Sequence, residues 1–523
     1  MPVRPRKPNE IAHQVMPLML LGIALLASNS NFTVVGDETS VLADAVQPVR
    51  TMLAQLWSGV NQHGNPPLYD ILFHFWLRWT GGAFEALRVP SILFFLGGLF
   101  MLARAAGRLG GSSSARAVVW LGVLWPFGFH YGRLAACYAF SFFLVSGLTL
   151  AYLRCLENQR FGRWALFFLF AVALLWTNYF GWAILGCLAI DQILRYRSAE
   201  PSASPANLIR TALLLCVAFL PLFTAFRNEL RGGFDFHHRP LAVLTNAAFS
   251  AYSLFVSEAV APWHWFLSIP AALAILACVG LVITSVPKNS RRFLFYGAFL
   301  IAVMAVSGIL LTRRLLLVSP WVLLPVGVAV GTNKPFQLRF VLPVAVLMIG
   351  GIGWFGIYSR HYYSDLRFLE PWPKIAEDAA TKIQSGATVI GNNPSFFLYL
   401  TYILHAPDGA MPWKFTGLLP DQVRHPRVKS PEEWLASGHS VGPTMIWVRG
   451  EGDRQTNGPM EAAALELGRA CGTQTSRLMM RDPGYEWKKR LFPEMDELVW
   501  RVEIREYDCS GTSSQEIFQI PPR

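Results

Sequence analysis

Asp37 and Glu38 stand side by side in VVGDETSVLADAV, a few residues after the apolar run Val15–Ala27. A carboxylate at the outer surface of a membrane, on a loop ordered against a helical bundle, meets both a lipid headgroup and a water-soluble acceptor. A general base needs that position. The local alternative is a cap: Asp is a preferred N-cap residue and its charge suits the helix dipole, so Asp37 equally caps a helix starting at Glu38 or Thr39.

Arginine supplies the second candidate chemistry. In TRRLLLVSP, Arg313 and Arg314 open an apolar run on the external side of the eleven-span reading, against the positive-inside trend. They read either as snorkelling side chains at a helix end or as guanidinium forks for a lipid phosphate or pyrophosphate, whose oxygens match Arg's planar donors. In HYGRLAACYAF, His130, Tyr131, Arg133 and Tyr138 gather at a turn between two apolar runs. They fit a binding site or an interfacial aromatic belt with one satisfied arginine. His63 and Asn65 precede a double proline in NQHGNPPLYD, where the prolines suit a helix start and His63 stays open. Asp235, His237 and His238 in RNELRGGFDFHHRP leave a divalent metal open, against the plainer reading of histidines on a solvated loop.

These residues sit on a chain that is 53% hydrophobic and 15% charged over 523 residues, with 18 Trp and 37 Phe in long apolar blocks. That is a polytopic α-helical membrane protein. The formal charge of +12 falls mainly in short loops, as the positive-inside rule requires, so it does not point to nucleic acid. The basic start MPVRPRKPNE lacks a small-residue cleavage site and reads as a retained first helix with a cytoplasmic amino terminus.

Apolar runs of about 16 to 22 residues, enough to cross roughly 30 Å of hydrocarbon, number about eleven. They lie near 14–30, 87–106, 115–131, 134–153, 164–179, 181–195, 208–226, 263–286, 293–311, 315–331 and 339–358. Pro66–Gly82 is read instead as an interfacial amphipathic helix. Its apolar face would be Leu68, Ile71, Leu72, Phe75, Trp76 and Trp79, with Asp70, His74 and Arg78 opposite. Excluding it places the arginines near 104–116, 154–163, 195–210 and 288–292 on the cytoplasmic side.

The first external loop then runs from 31 to 86, within a transmembrane module of residues 1–359. Residues 360–523 form an extracytoplasmic α/β domain, because strand-like ATVIG, TMIWVRG, RLMM and LVWRVEI alternate with helix-like PWPKIAEDAATKIQ, PSFFLYLTYIL and PMEAAALELGRAC. Cys471 and Cys509 are the only cysteines in that domain and can pair in an oxidising compartment. No spacing suggests a zinc site, and no Gly-rich phosphate loop is present.

In order, GDETSVLADAV, NPPLYDILFHFWLRWTGG, EALRVPSILFFLGGL, HYGRLAACYAF and RRLLLVSPWVLLPVGVAV resemble the landmarks of membrane-embedded GT-C glycosyltransferases over roughly residues 10 to 360. The branch resembled is that of the protein O-mannosyltransferases and the lipid A aminoarabinose transferase. The resemblance implies inverting transfer of a sugar from a polyprenyl-phosphate carrier to a lipid, glycan or protein acceptor on the non-cytoplasmic face of the inner membrane. It also implies Asp37 as base, Arg313 or Arg314 facing the lipid phosphate, and Arg88 as the arginine opening the second span. In the aminoarabinose branch a Lys precedes a Pro where this chain has Asn65–Pro66, so the resemblance supplies no phosphate-binding cation from that loop.

The residue types suit the reaction independently. An inverting displacement needs one base and stabilisation of a departing phosphate, not a second catalytic carboxylate as nucleophile. Glu38 then orients the acceptor or keeps the site acidic. Two other readings stay in view. A transporter or flippase would use ionisable groups within the spans, of which Asp191 is the main one. A ligase or polymerase acting on pyrophosphate-linked glycans shares the lipid-phosphate logic but leaves the first-loop acid pair unexplained.

Overall fold

The computed structural model describes residues 8–28, 36–58, 65–82, 86–198, 200, 203–232, 240–307, 310–332, 340–360, 372–405, 425–436, 444–450, 454–471, 473–481 and 501–509. These fall into two compact units. The first comprises Met1–Ser30, Gln47–Phe75 and Leu87–Arg360, and the second Asn31–Val46, Trp76–Ala86 and His361–Arg523. The helix carrying the acid pair therefore belongs to the same compact unit as the chain's last 163 residues.

The first unit is helical. Its elements are α1 (Pro8–Ala27), α3 (Val49–Ser58), the start of α4 (Leu68–Thr80), α5 (Val89–Leu124), α6 (Pro126–Tyr131), α7 (Cys137–Glu157), α8 (Phe161–Leu175) and α9 (Gly181–Arg197). They continue with α10 (Pro205–Phe219), α11 (Phe223–Gly232), α12 (Pro240–Val256), α13 (Trp265–Ser285), α14 (Lys288–Val306), α15 (Pro320–Gly331) and α16 (Leu342–Arg360). Among the described residues, five helical stretches are long and apolar enough to cross a membrane, and several apolar helices are shorter. The outer surfaces of these helices expose Leu213, Leu214, Phe266, Leu273 and Leu276, as a lipid-facing surface does.

Helix α5 is continuous in hydrogen bonding, yet Gly111 adopts φ +84° and breaks it into two segments. The sequence reads these as two spans, and a glycine at positive φ is the physical reason they separate. The sequence marks no span at α12, which is 17 residues long and packs against α6, α14 and α16. Its Thr245, Asn246, Ser250 and Ser253 dilute the apolar signal.

Helix α4 forms where expected, and Leu72, Phe75 and Trp79 of its expected apolar face lie outside the bundle. Tyr69, Phe73 and Leu77 are buried, together with His74. Within the first unit, Tyr69 reaches the Ser91 hydroxyl at 2.9 Å and stacks near Phe73 and Phe140. The bundle buries the aromatic row that carries a hydroxyl for Ser91, and the purely apolar row stays outside, as an interfacial helix in lipid tolerates.

The second unit contains α2 (Gly36–Ala45), α17 (Trp372–Gln384), α18 (Pro394–His405) and a five-stranded sheet. The strands are β1 (Thr388–Gly391), β2 (Val428–Lys429), β3 (Thr444–Gly450), β4 (Thr473–Arg481) and β5 (Arg501–Asp508), in spatial order β2-β1-β3-β5-β4. β1 is parallel to β2 and β3, with Val389 opposite Ile446, whereas β5 runs antiparallel to both β3 and β4. Four of the five strands coincide with the strand-like runs of the sequence; β2 is two residues long and carries no periodic signal.

The core of this unit gathers Ile390, Trp434, Met460, Leu467 and Tyr507 beside Cys471 and Cys509. The two cysteines form the expected disulfide. Closing a loop of 38 residues contributes about 4 kcal/mol in the chain-entropy account.

Candidate active site

In the first unit the basic side chains singled out by type gather around one turn. Pro126 sits at the first position of α6, where its missing N–H costs nothing, and the six-residue helix ends at Tyr131. Trp125, just before it, donates its indole N–H to the Leu254 carbonyl at 2.6 Å and so ties this corner to α12. Gly132 follows, and a Cβ there would lie 2.6 Å from the Phe95 ring, so the turn presses directly on α5.

This packing buries Arg133 completely and His130 almost so. Arg133 donates to the Ser28 hydroxyl at 2.7 Å, and its guanidinium lies 5.0 Å from the centre of the Phe129 ring. Arg88, at the mouth of α5, is also fully buried, and His130 feels the charge of both arginines. Two guanidinium groups and an imidazole inside a helical bundle are costly, and such residues in a membrane protein mark function more often than stability.

Arg313 and Arg314 lie on a 3-10 helix, Thr312–Leu317, rather than on the first turn of a span. Its hydrogen bonds run from Arg314 N–H to the Leu311 carbonyl and from Val318 N–H to the Leu315 carbonyl. The tight winding buries Thr312, Leu315, Leu316 and Leu317 while both arginines stay half-buried. Arg313 donates from Nε to the Tyr138 hydroxyl at 3.1 Å, which joins the 3-10 helix to the first turn of α7. The structure thus couples two sequence-predicted residues 175 positions apart. The contacts of Arg133 with Ser28 and Phe129, and of Arg313 with Tyr138, fix the direction of both guanidinium groups.

Trp125 and Pro126, at the start of α6, also line a small cavity of about 50 Å³ with Leu121, Leu254, Phe255 and Val322. Its lining is apolar apart from Ser319. One short helix therefore has a hydrocarbon-lined space at its start and His130 near its end. Sequence reading missed this cavity, because it needs α5, α12, α13, α15 and α16 to converge.

In the second unit, α2 begins at Gly36, so Asp37 and Glu38 both fall within the first turn rather than before it. Asp37 is past the capping position, although its charge still favours the positive helix end. Asp37 is half-buried and Glu38 is 1% exposed. Thr39, next in line, is buried against Ser395 of α18, with 2.7 Å between their hydroxyl oxygens. His63 lies outside the described residues, as do Asp235, His237 and His238. Among the described residues no group of His, Cys, Asp and Glu has the arrangement of a metal site.

No protein-family model matches the chain, and no curated protein does. Solved structures do. ArnT from Cupriavidus metallidurans bound to undecaprenyl phosphate superposes with a TM-score of 0.51 at 14% identity, covering 98% of this chain and 100% of that one. The chain has the polytopic GT-C fold. ArnT from the same organism in the apo state aligns over 96% of this chain and 99% of that one at 15% identity, with a TM-score of 0.37. The alignment with the first of these runs over 98% of the chain, beyond the span in which the sequence landmarks lie.

Proposed function

We propose that the protein transfers a sugar from a polyprenyl-phosphate carrier to an acceptor on the non-cytoplasmic face of the membrane, with inversion at the anomeric carbon. The observation that carries this reading is the pairing along α6 of an apolar cavity with a cationic cluster. A phosphate carried on a hydrocarbon chain asks for cations beside apolar surface. The undecaprenyl phosphate bound by ArnT has that chemistry, and the shared fold makes such a ligand the natural one to test.

In the proposed reaction the Asp37 carboxylate accepts the proton of the acceptor hydroxyl. The acceptor oxygen forms its bond to the anomeric carbon as the bond from that carbon to the phosphate oxygen breaks, and polyprenyl phosphate departs. The leaving group gains negative charge in the transition state, and Arg313, Arg314, Arg88 and Arg133 are proposed to stabilise it. Tyr138 is assigned to holding Arg313 in orientation, and Glu38 to orienting the acceptor or supporting the charge of its neighbour.

Purified protein incubated with a panel of polyprenyl-phosphate sugars should consume one of them, followed by mass spectrometry. Preference for pyrophosphate-linked over monophosphate-linked donors would overturn the reading in favour of a ligase or polymerase. Asp37→Asn is expected to slow turnover by roughly 10²–10⁴-fold, the range for a lost general base, while donor binding survives. An Asp37→Ser enzyme with full activity would remove Asp37 from the mechanism.

A further inference from the structure

We infer that Thr39 and Ser395 are positioning residues through which the domain containing the sheet sets the direction of the Asp37 carboxylate; the inference rests on the proposed role of Asp37. Helix α2 is ten residues long. An isolated helix of that length is marginal in water, so the geometry of α2 has to come from what it packs against. Within its own unit that neighbour is α18. The hydroxyls of Thr39 and Ser395 lie 2.7 Å apart across this contact, and both residues are 2% exposed.

Ser395 is itself held firmly. Strand β1 pairs on both sides, with β2 and β3, and ends at Gly391. Three residues later α18 begins at Pro394, and Asn393 caps it by accepting the Phe396 N–H on its side-chain oxygen at 3.1 Å. The sheet, the cap and the first turn of α18 therefore fix the Ser395 hydroxyl with few rotatable bonds between. Residues in an α-helix step by about 100°, so Asp37 stands roughly 200° around α2 from Thr39. Anchoring Thr39 to α18 turns Asp37 to the opposite face. The burial agrees: Thr39 is enclosed and Asp37 half-buried.

A hydroxyl pair in the interior is directional in a way that an apolar contact is not. Thr39→Val and Ser395→Ala both remove the bond with little change in volume. Each is expected to lower kcat about ten-fold with the KM for the donor unchanged, and the double variant should be no worse than either single one. Thr39→Ser keeps the hydroxyl and should retain activity. Amide hydrogen exchange at residues 37–45 should speed up in the Val and Ala variants, while exchange in β1, β3 and β5 stays as in the wild type.

Additive losses of kcat, or unchanged exchange at 37–45, would overturn the inference. Full turnover of Asp37→Asn would instead defeat the base assignment, and the exchange measurement would still decide whether Ser395 anchors α2. Faster exchange throughout the sheet would reduce Ser395 to a folding residue and so overturn its positioning role.

Discussion

Two clusters of charged side chains at opposite ends of α7 solve the same problem differently. Tyr138 and Tyr152, fourteen residues apart on that helix, are separated by a rise of about 21 Å. At the Tyr152 end, Asp191 is 1% exposed and both its oxygens are occupied. Oδ2 accepts from the Tyr152 hydroxyl and from Arg195 Nε, each at 2.5 Å, and Oδ1 from Tyr296 at 3.1 Å and Arg292 at 3.4 Å. Glu200 takes a bidentate pair from Arg292, at 2.8 and 3.0 Å, and a further bond from Lys288 at 3.0 Å. Gln192 completes the set by donating to Tyr152 and accepting the Ala203 N–H.

At the Tyr138 end, Arg133 reaches the Ser28 hydroxyl and the Phe129 ring, and Arg313 reaches the Tyr138 hydroxyl. Carboxylates that answer each arginine build a clamp between helices. A hydroxyl partner fixes the direction of a guanidinium without itself carrying charge. Asp191, the acid a transporter reading would have used, belongs to the clamp.

The largest expected effect tests the clamp. Asp191→Ala would take from buried Arg195 its close carboxylate, leaving Glu200 at 3.7 Å, and from Arg292 one of its two acids, and breaking a buried pair from one side typically costs about 3–5 kcal/mol. Thermal unfolding in detergent should show a large fall in Tm, and a Tm within a degree of wild type would mean that Asp191 does not carry the clamp.

The next effect tests the other end. Undecaprenyl phosphate at 100 times its Kd should stabilise the wild type by about 2.7 kcal/mol through mass action. That increment should vanish in Arg133→Met and shrink in Arg313→Lys, because an ammonium lacks the fork of a guanidinium. It should persist in Glu200→Gln. Equal loss of the increment in Glu200→Gln and Arg133→Met would erase the distinction between the clusters.

The smallest effect is a pH dependence at Glu200, which lies outside the spans. Its hydrogen bond from Lys288 and its pair with Arg292 hold its carboxyl below the ordinary carboxylate value. A depressed folded-state value means that the stabilisation is present above the unfolded value, near 4.3, and is lost as pH falls through the folded one. The Tm difference between wild type and Glu200→Gln should therefore be small but measurable at pH 7 and should narrow as pH falls below the unfolded value and through the lower folded one. A difference that stays constant on acidification would assign it to something other than this carboxylate.

The sequence by itself determined whatever depends on neighbouring residues. Apolar blocks marked most helices of the bundle, though not α12, Gly111 fell at the break within α5, and TMIWVRG matches β3 residue for residue. Cys471 and Cys509 were the evident pair because no other cysteines lie in their domain. Asp37, Arg133, Tyr138 and Arg313 stood out by type, since a charge or a hydroxyl beside an apolar run is visible without any fold.

Tertiary structure alone decided how these residues are grouped. It put α2 with α18, 356 positions away at the Thr39–Ser395 contact, and turned the hydroxyl-bearing face of α4 inward. It gave Asp191 to Arg292 rather than to a substrate path, and brought the cavity beside α6 together from five helices. Local periodicity records which face of a helix is apolar. It holds no record of which distant surface that face will meet, and the balance between burying a charge and pairing it is settled only there.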